Sequence, residues 1–461
     1  MRQALPHQAD FIVAEARAKA VALFWQMRLG KTLAAIRWLS RFNPERTLIV
    51  APLSVLETWE AELELEGVPF RLLLGSQEQR LDLAGDCPAH EWCLVNYEGL
   101  VAVRTKKNPG KEFGARPTPI ALLPWDAVVL DESTRIRKSQ ANITKVANKH
   151  LATAPIRALL SGLPNPEGPE DYCEQLLFLY GEFLGCDNFW RFRDKHFKQI
   201  GYDWFPRPHA FAKIKTEVHK RCNILTRKQV GMFQEKVREK RYVSLPQKQR
   251  AAYDEAEQNF VLAGKETKSI LAVRVWLQRM CGGQLPEDPE FSSPHKLAEI
   301  ASLVDGELRR EKLLVFFRFN AELLACEKLL RKKKRSVITI LGANGRKENS
   351  QRRLAFQKDQ FQIALCQTRC VRYGLDFSRS STVIYFSNWE DYEIRGQSED
   401  RVLHPAKKEA NLYIDLLVRN SIDEDILFAL QHKGATAKSF NSTLVERMKS
   451  RWKKNSNRSS R

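Results

Sequence analysis

No two cysteines in this chain are spaced C-x-x-C; the nine stand singly. That excludes zinc ribbons and thioredoxin-type redox sites, and the scatter of thiols points to a reducing compartment. The nearest thing to a metal pattern is Cys87, His90 and Cys93. Three possible ligands are there without an obvious fourth, and a surface loop with incidental thiols is the preferred reading. No apolar run is long enough to cross a bilayer, so no membrane role is expected. The opening MRQALPHQAD has no apolar signal core, so export is not expected either. The α/β segments share no short period, which removes solenoids. Acid is in deficit: 55 Asp and Glu face 75 Lys and Arg, a formal net charge of +20 with a pI near 9.6. That balance suits either plain solubility or attraction to a polyphosphate partner.

What is present suits sizeable cores: 461 residues, 43% hydrophobic and 28% charged. The length predicts about three domains, or two large lobes with insertions. Over residues 1–165, short apolar runs end in polar residues or proline: TLIVAPLS, EWCLVNY and WDAVVLDES. They read as buried parallel strands, and the amphipathic stretches between them as helices. Residues 166–290 are rich in aromatic and basic side chains and are expected to form a mostly helical insertion or linker. The α/β rhythm returns over 291–435 with KLLVFFRF, SVITILG, QIALCQT and STVIYFS. Residues 436–461 are expected to be a disordered basic tail, with seven basic and no acidic residues in 447–461. That tail either adds nonspecific affinity or is plain disorder.

Residues 26–32, QMRLGKT, follow an apolar run and open a helical pattern. A phosphate-binding loop needs small residues that let backbone N–H groups face an anion, a Lys for the β- and γ-phosphates, and a hydroxyl for Mg²⁺. Gly30, Lys31 and Thr32 supply these, although Trp25 stands where the first Gly of the full pattern belongs. Asp131 and Glu132 end an apolar strand. Such carboxylates suit Mg²⁺ and water activation, or a helix cap. Beside the GKT loop, the nucleotide reading is favoured.

In this order the motifs resemble superfamily 2 nucleic-acid motors of the Swi/Snf-like group, from about Leu5 to Leu427. Residues 5–8, LPHQ, resemble the group's Gln motif, which implies that Gln8 reads adenine. QMRLGKT resembles its E-M-G-L-G-K-T, with Arg28 for a Gly. LDES stands for D-E-A-H, with Ser133 and Thr134 in the last two places. LLSGLP resembles L-T-G-T-P, with Leu163 for the Thr that links nucleotide state to the cleft. CQTRCVRYGLDFS resembles the segment whose Thr-Arg loop, here Thr368 and Arg369, faces nucleic acid, and whose Gly-Leu turn, here with Gly374 and Asp376, faces the cleft. QSEDR resembles the final Q-A-x-D-R, with Gln397 and Arg401, and His404 replaces the usual second Arg.

The resemblance implies an α/β fold of two RecA-like lobes with mostly parallel sheets and a helical insertion between them. It implies ATP and Mg²⁺ as cofactors and a DNA-dependent ATPase that translocates or acts as a helicase. The alternative is an ATP-gated DNA clamp with little turnover. Lys31, Asp131, Glu132 and Arg401 are the expected catalytic groups. Thr32 and Asp131 are expected to hold the metal. Gln8, Arg28, Gly30, Lys31, Thr32, Gly374, Asp376, Gln397 and Arg401 are expected to hold the nucleotide. Arg227, Lys228, Thr368 and Arg369 are expected at the nucleic acid. Duplex DNA is preferred over single strands, with RNA left open and protein partners unassigned. The compactness resembles bacterial or viral members, which implies the cytoplasm, with the nucleus left open. Two further features stay open: the charge run 331–335 (RKKKR), for which a solvated face is preferred, and the aromatic-basic stretch 189–205, which either stacks bases or packs as a core.

Overall fold

The computed structural model describes residues 3–102, 116–166, 168–201, 203–232, 234–262, 269–285, 288–291, 295–371, 376–404, 407, 409–431 and 446. It divides into two compact units, Met1–Phe233 and Gln234–Arg461.

The first unit is built on a seven-stranded sheet, every pair of which is parallel. Its strands are β1 (Ala20–Trp25), β2 (Thr47–Ala51), β3 (Phe70–Leu72), β4 (Trp92–Asn96), β5 (Ala127–Asp131), β6 (Ile156–Leu160) and β9 (Asn223–Leu225), and the spatial order is β3-β4-β2-β5-β6-β1-β9. Between β6 and β9 lies an antiparallel hairpin of its own, β7 (Phe197–Ile200) and β8 (Asp203–Pro206). The central strands β2, β4 and β5 are buried at every position. A parallel sheet covered on both faces demands that, which is why these strands read as unbroken apolar runs. Helices α1 (Pro6–Ala14), α2 (Lys31–Ser40) and α3 (Leu56–Glu66) follow or flank the early strands. They bury Phe11, Trp38 and Trp59 almost completely.

The second unit is built on a six-stranded parallel sheet in the order β10-β17-β16-β13-β15-β14. The strands are β10 (Lys236–Val243), β13 (Leu313–Phe317), β14 (Val337–Ile340), β15 (Ile363–Gln367), β16 (Thr382–Tyr385) and β17 (Asn411–Val418), and a two-stranded ribbon, β11 (Gln284–Leu285) and β12 (Asp288–Phe291), lies between β10 and β13 in sequence. Alternate residues of β13 feed opposite faces. Leu313, Val315 and Phe317 join one core cluster, and Leu314 and Phe316 another. The two RecA-like α/β lobes implied by the motif order are therefore present as two parallel sheets.

The segment 166–290 does not form a body of its own. Its residues through Phe233 belong to the first unit and those from Gln234 to the second. The physical reason is strand pairing: β9 adds to β1, and β10 adds to β17 over eight residues. Backbone hydrogen bonds thus claim both flanks of a stretch that its aromatic and basic composition marked as an insertion. Helices Tyr172–Tyr180, Phe189–His196 and Ala210–Arg221 pack in the first unit, and Gln247–Leu262 and Ser269–Gly282 lie in the second. The tail expected over 436–461 lies outside the described residues, residue 446 excepted. The run 331–335 closes the helix Asn320–Lys332 and is largely exposed; Lys333 and Arg335 pair with Asp305.

One buried acid in the second unit sets a pH dependence. The Glu322 side chain is fully buried, accepts a hydrogen bond from the Ser387 hydroxyl, and lies so close to Gly282 that a Cβ there would collide with its Oε1. Burial pushes its pKa up to about 7, against the pull of Ser387 and of Lys296. The folded state therefore holds more protons than the unfolded chain between about pH 4 and about pH 7, so stability falls as pH rises through that window. Glu322→Gln removes the term. Its melting temperature should gain on the parent between mildly acidic and mildly alkaline buffer, by about 2 kcal/mol in stability. Parallel pH profiles for the two proteins would show that this carboxyl is not the source.

Candidate active site

The C-terminal end of β1 turns into a loop, residues 26–30, that delivers α2. Gly30 caps the helix at φ 71° and ψ 39°. It sits against α1: a Cβ at Gly30 would lie 2.2 Å from Gln8 Nε2, and that nitrogen donates to the Gly30 carbonyl at 2.9 Å. The Gln8 carbonyl oxygen accepts from the Leu5 N–H at 2.8 Å, so the side chain, 2% exposed, braces the loop. His7 adds a second brace, with its Nε2 2.9 Å from the Leu29 carbonyl oxygen. Arg28 is also left-handed, at φ 71°. A non-glycine residue there costs about 1 kcal/mol, and such strain clusters at functional sites.

Trp25, where a phosphate loop's first glycine would stand, has its ring edge-on to both His7 and Phe11, and its indole N–H donates to Asn223 Oδ1 at 2.6 Å. Its carbonyl oxygen accepts from Lys31 Nζ at 3.0 Å. Strand β9 runs on into Thr226 and Arg227. The Arg227 N–H donates to Gln26 Oε1 at 2.9 Å, and its guanidinium reaches the Met27 carbonyl oxygen at 3.4 Å. Arg227, expected at nucleic acid, is thus placed against the phosphate loop, while Lys228 is exposed. Sequence reasoning missed Asn223 as a partner of the loop. The only signal was its position four residues before the basic pair Arg227-Lys228.

At the end of β5, Asp131 is 5% exposed. Its Oδ2 accepts from Trp59 Nε1 at 2.9 Å and its Oδ1 from the Glu132 N–H at 2.8 Å. Burial pushes this carboxyl up, while the Lys31 charge, the Trp59 indole and the Glu132 amide pull it back. Lys31 and Asp131 therefore sense each other. Glu132 adopts φ 52° and ψ 54°, a left-handed turn that carries its side chain out of the strand direction, half-buried. The next residue, Ser133, donates to Gln175 Oε1 at 2.7 Å, and Gln175 in turn donates to the Pro164 carbonyl oxygen at 2.7 Å.

These residues fit a nucleoside triphosphate. A ten-residue helix begins at a loop of left-handed residues, with a Lys at its first position and a Thr hydroxyl at its second. A buried carboxylate adjoins that Lys. Fixed N–H groups and the helix dipole favour an anion there, and Thr32 with Asp131 offers the oxygen donors that Mg²⁺ prefers.

In the second unit, Gln397 and Arg401 lie on and just after the helix Tyr392–Glu399, both nearly buried. Gln397 donates to Glu393 Oε1 at 3.0 Å. The helix is fixed by an ionic network: Arg395 binds both oxygens of Asp415 and one of Glu399, and Arg238 grips Glu399 at 2.6 and 2.8 Å. Burial alone would raise the Glu399 pKa, but Arg395, Arg238 and Lys236 hold it well below the usual carboxylate range. The Arg401 carbonyl oxygen accepts from the Phe377 N–H at 2.9 Å, which ties it to the turn after Asp376. Asp376 itself accepts from the Ser378 N–H. Thr368 is turned inward, donating to the Phe317 carbonyl oxygen. Arg369 is exposed, its guanidinium 4.1 Å from the Trp389 ring centroid. His404 is exposed and its carbonyl oxygen accepts from Gln234. Gly374 lies outside the described residues. The trio of Cys87, His90 and Cys93 does not converge on one point: the two sulfurs are 3.0 Å apart, but His90 Nδ1 is turned to the Pro44 carbonyl oxygen at 3.2 Å.

Gly30 gives the sharpest test of the loop. Gly30→Ala sets a methyl into Gln8 and a side chain at a positive φ, so it should destabilise the fold by about 1 to 3 kcal/mol. The thermal shift that ATP gives the parent should disappear. An undiminished ATP shift in the variant would show that this loop does not hold the nucleotide.

The family model for the SNF2-related domain matches residues 10–284, and the one for the helicase conserved C-terminal domain matches residues 295–405. The chain is 22% identical to "ATP-dependent helicase brm" of Drosophila melanogaster and 21% identical to "Putative ATP-dependent helicase/translocase YwqA" of Bacillus subtilis, in each case over 88% of its own length. It spans 27% and 45% of those two proteins. Among solved structures, the Sulfolobus solfataricus SWI2/SNF2 ATPase core in complex with dsDNA aligns with 95% of this chain and 94% of that one, at 20% identity and a TM-score of 0.43. With one family model spanning more than half of the sequence and the second following it in order, this chain belongs to the SNF2-related, Swi/Snf-like group of superfamily 2 helicases.

Proposed function

We propose that the chain is a DNA-dependent ATPase that converts hydrolysis into movement along DNA. The observation that carries this reading is the meeting of Lys31, at the start of α2, with the buried Asp131 and the left-handed Glu132 at the end of β5. Family membership, the names of the two relatives and the net charge of +20 support nucleic acid as the track.

In this reading the N–H groups of the α2 start and the Lys31 ammonium bind the β- and γ-phosphates. Thr32 and Asp131 hold Mg²⁺, which when bound draws charge from the phosphate oxygens. Glu132 orients a water for in-line attack on the γ-phosphorus and accepts its proton as the bond to the β-bridging oxygen breaks. ADP and phosphate leave. Arg401 stabilises the charge on the transferred phosphoryl group. The duplex is the preferred form of the track.

Lys31→Ala and Glu132→Gln should each lower steady-state ATP hydrolysis in the presence of DNA by about 100-fold or more, and Arg401→Ala by about 1,000-fold. Parent-like turnover in both of the first two variants would mean the site is misassigned. His404 at the second arginine position and Leu163 in the L-T-G-T-P segment motivate the second reading. A burst of hydrolysis followed by almost no steady state, at saturating DNA, would reassign the chain to an ATP-gated clamp.

A further inference from the structure

The hairpin of β7 and β8 is absorbed neither by the nucleotide site nor by the sheet. Its register pairs Phe197 with Pro206, Lys198 with Phe205, Gln199 with Trp204 and Ile200 with Asp203. Directly opposed residues share a face, and faces alternate along each strand. One face therefore carries Phe197, Gln199, Trp204 and Pro206, the other Lys198, Ile200 and Phe205.

The first face is the anchored one. Phe197 is buried against Phe192 of the helix Phe189–His196, with ring centroids 5.7 Å apart. The Arg193 guanidinium of that helix sits 4.5 Å from the Trp204 ring centroid. Arg207 locks the base of the hairpin, with its N–H donating to the His196 carbonyl oxygen and its Nε to that of Phe197, both at 2.9 Å. The other face is open. Ile200 is 54% exposed and Phe205 46%, with Lys198 exposed between them. Trp190, 55% exposed, lies on the anchoring helix, within 6.0 Å of the same Arg193 guanidinium.

An apolar face left bare on a rigid support calls for an occupant. Its surroundings name the chemistry. Residues 189–221 carry nine Lys and Arg against three Asp and Glu, a local charge of 9 − 3 = +6. His196, buried at the end of the anchoring helix, is held below its usual range first by burial and then by Lys195 and Lys213. Flat rings and aliphatic bulk on a cationic support fit the exposed faces of unpaired bases together with their phosphates. A paired duplex offers phosphates but hides its base faces.

We propose that the outer face of the β7–β8 hairpin, with Trp190 beside it, is a stacking platform for unpaired bases at a single-strand to duplex junction. This rests on the reading of the chain as a DNA motor and adds to it the form of DNA that the first unit recognises.

The test compares a blunt duplex with the same duplex bearing unpaired arms, by fluorescence anisotropy on the full chain. The parent should prefer the armed substrate by about 5- to 100-fold, as expected for one or two stacked bases, and Ile200→Ala/Phe205→Ala or Trp190→Ala should lose most of that preference while affinity for the blunt duplex changes by no more than about twofold. Phe205→Trp keeps a ring and should keep the preference. 2-Aminopurine at the first unpaired position should be quenched by the parent and not by the double variant. A parent that ignores the arms, or variants that weaken both substrates equally, overturns the platform. Hydrolysis separates the two readings. If neither the blunt nor the armed duplex stimulates ATP hydrolysis by the parent, the motor reading falls, while arm-dependent binding and quenching still decide the hairpin.

Discussion

A carboxylate taken out of water at the end of a strand is tolerated only when charge and hydrogen-bond donors converge on it. Asp131 is that group, and much of the first unit can be traced from it. The Trp59 indole fixes where α3 must lie against β5. The Glu132 amide fixes the left-handed turn that ends the strand. Lys31 fixes where α2 must start. Each of these constraints reaches the same point from a different strand-to-helix connection, so the parallel sheet acts as the jig that aligns them.

The second unit solves a similar problem with the signs reversed. Arg395 is a fully buried cation pinned by Asp415 of β17 and by Glu399 one turn along its own helix, with its guanidinium over the Tyr385 ring at 3.4 Å. Glu399 is then shared with Arg238 and Lys236 of β10. Buried ion pairs contribute little net stability against hydrophobic replacements, but losing one partner leaves a stranded charge. Their effect here is positional. The helix cannot slide or rotate without breaking several charged contacts, and Gln397 and Arg401 move with it.

The sequence was readable where burial is total. Strands β2, β4, β5 and β13 to β16 are near-continuous apolar runs, because both faces of a parallel sheet are covered. Strand β10 was not readable: KVREKRYV has five charges in eight residues. It is an edge strand, held by backbone pairing to β17 and by Glu399, and charge on an edge also blocks pairing with other chains. Strand β9 is three residues long and has no period to detect. At the site, the residue types Gly30, Lys31, Asp131 and Glu132 stand out in the sequence, and the structure sets the Lys31 charge against the buried Asp131. The Gln8 contact to the Gly30 carbonyl was not legible, because it depends on where α1 packs. The hairpin stretch 189–205 was left open between stacking and core. One face is core, with Phe197 buried on Phe192, the other exposes Ile200 and Phe205, and only the register separates the two.

The departures from the group's pattern can be weighed by what occupies their places. Leu163 brings no hydroxyl to the L-T-G-T-P segment, yet the segment is not slack. Ser161 Oγ accepts from the Leu163 N–H at 3.2 Å, Gly162 packs so closely on Met27 that a Cβ would lie 2.9 Å from its Cγ, and Gln175 holds the Pro164 carbonyl oxygen. The same Gln175 receives the Ser133 hydroxyl, and Ser133 is itself a departure from D-E-A-H. Gln175 is fully buried and also donates to the Asp171 carbonyl oxygen, so both amide hydrogens and its carbonyl oxygen are engaged. A short polar residue after Glu132 and a long amide from the helix Tyr172–Tyr180 thus join the carboxylate turn to the loop that touches the phosphate loop. Because a buried amide with every group satisfied is costly to disturb, the turn after Glu132 and the loop at Gly162–Pro164 are held to one another without a hydroxyl at position 163.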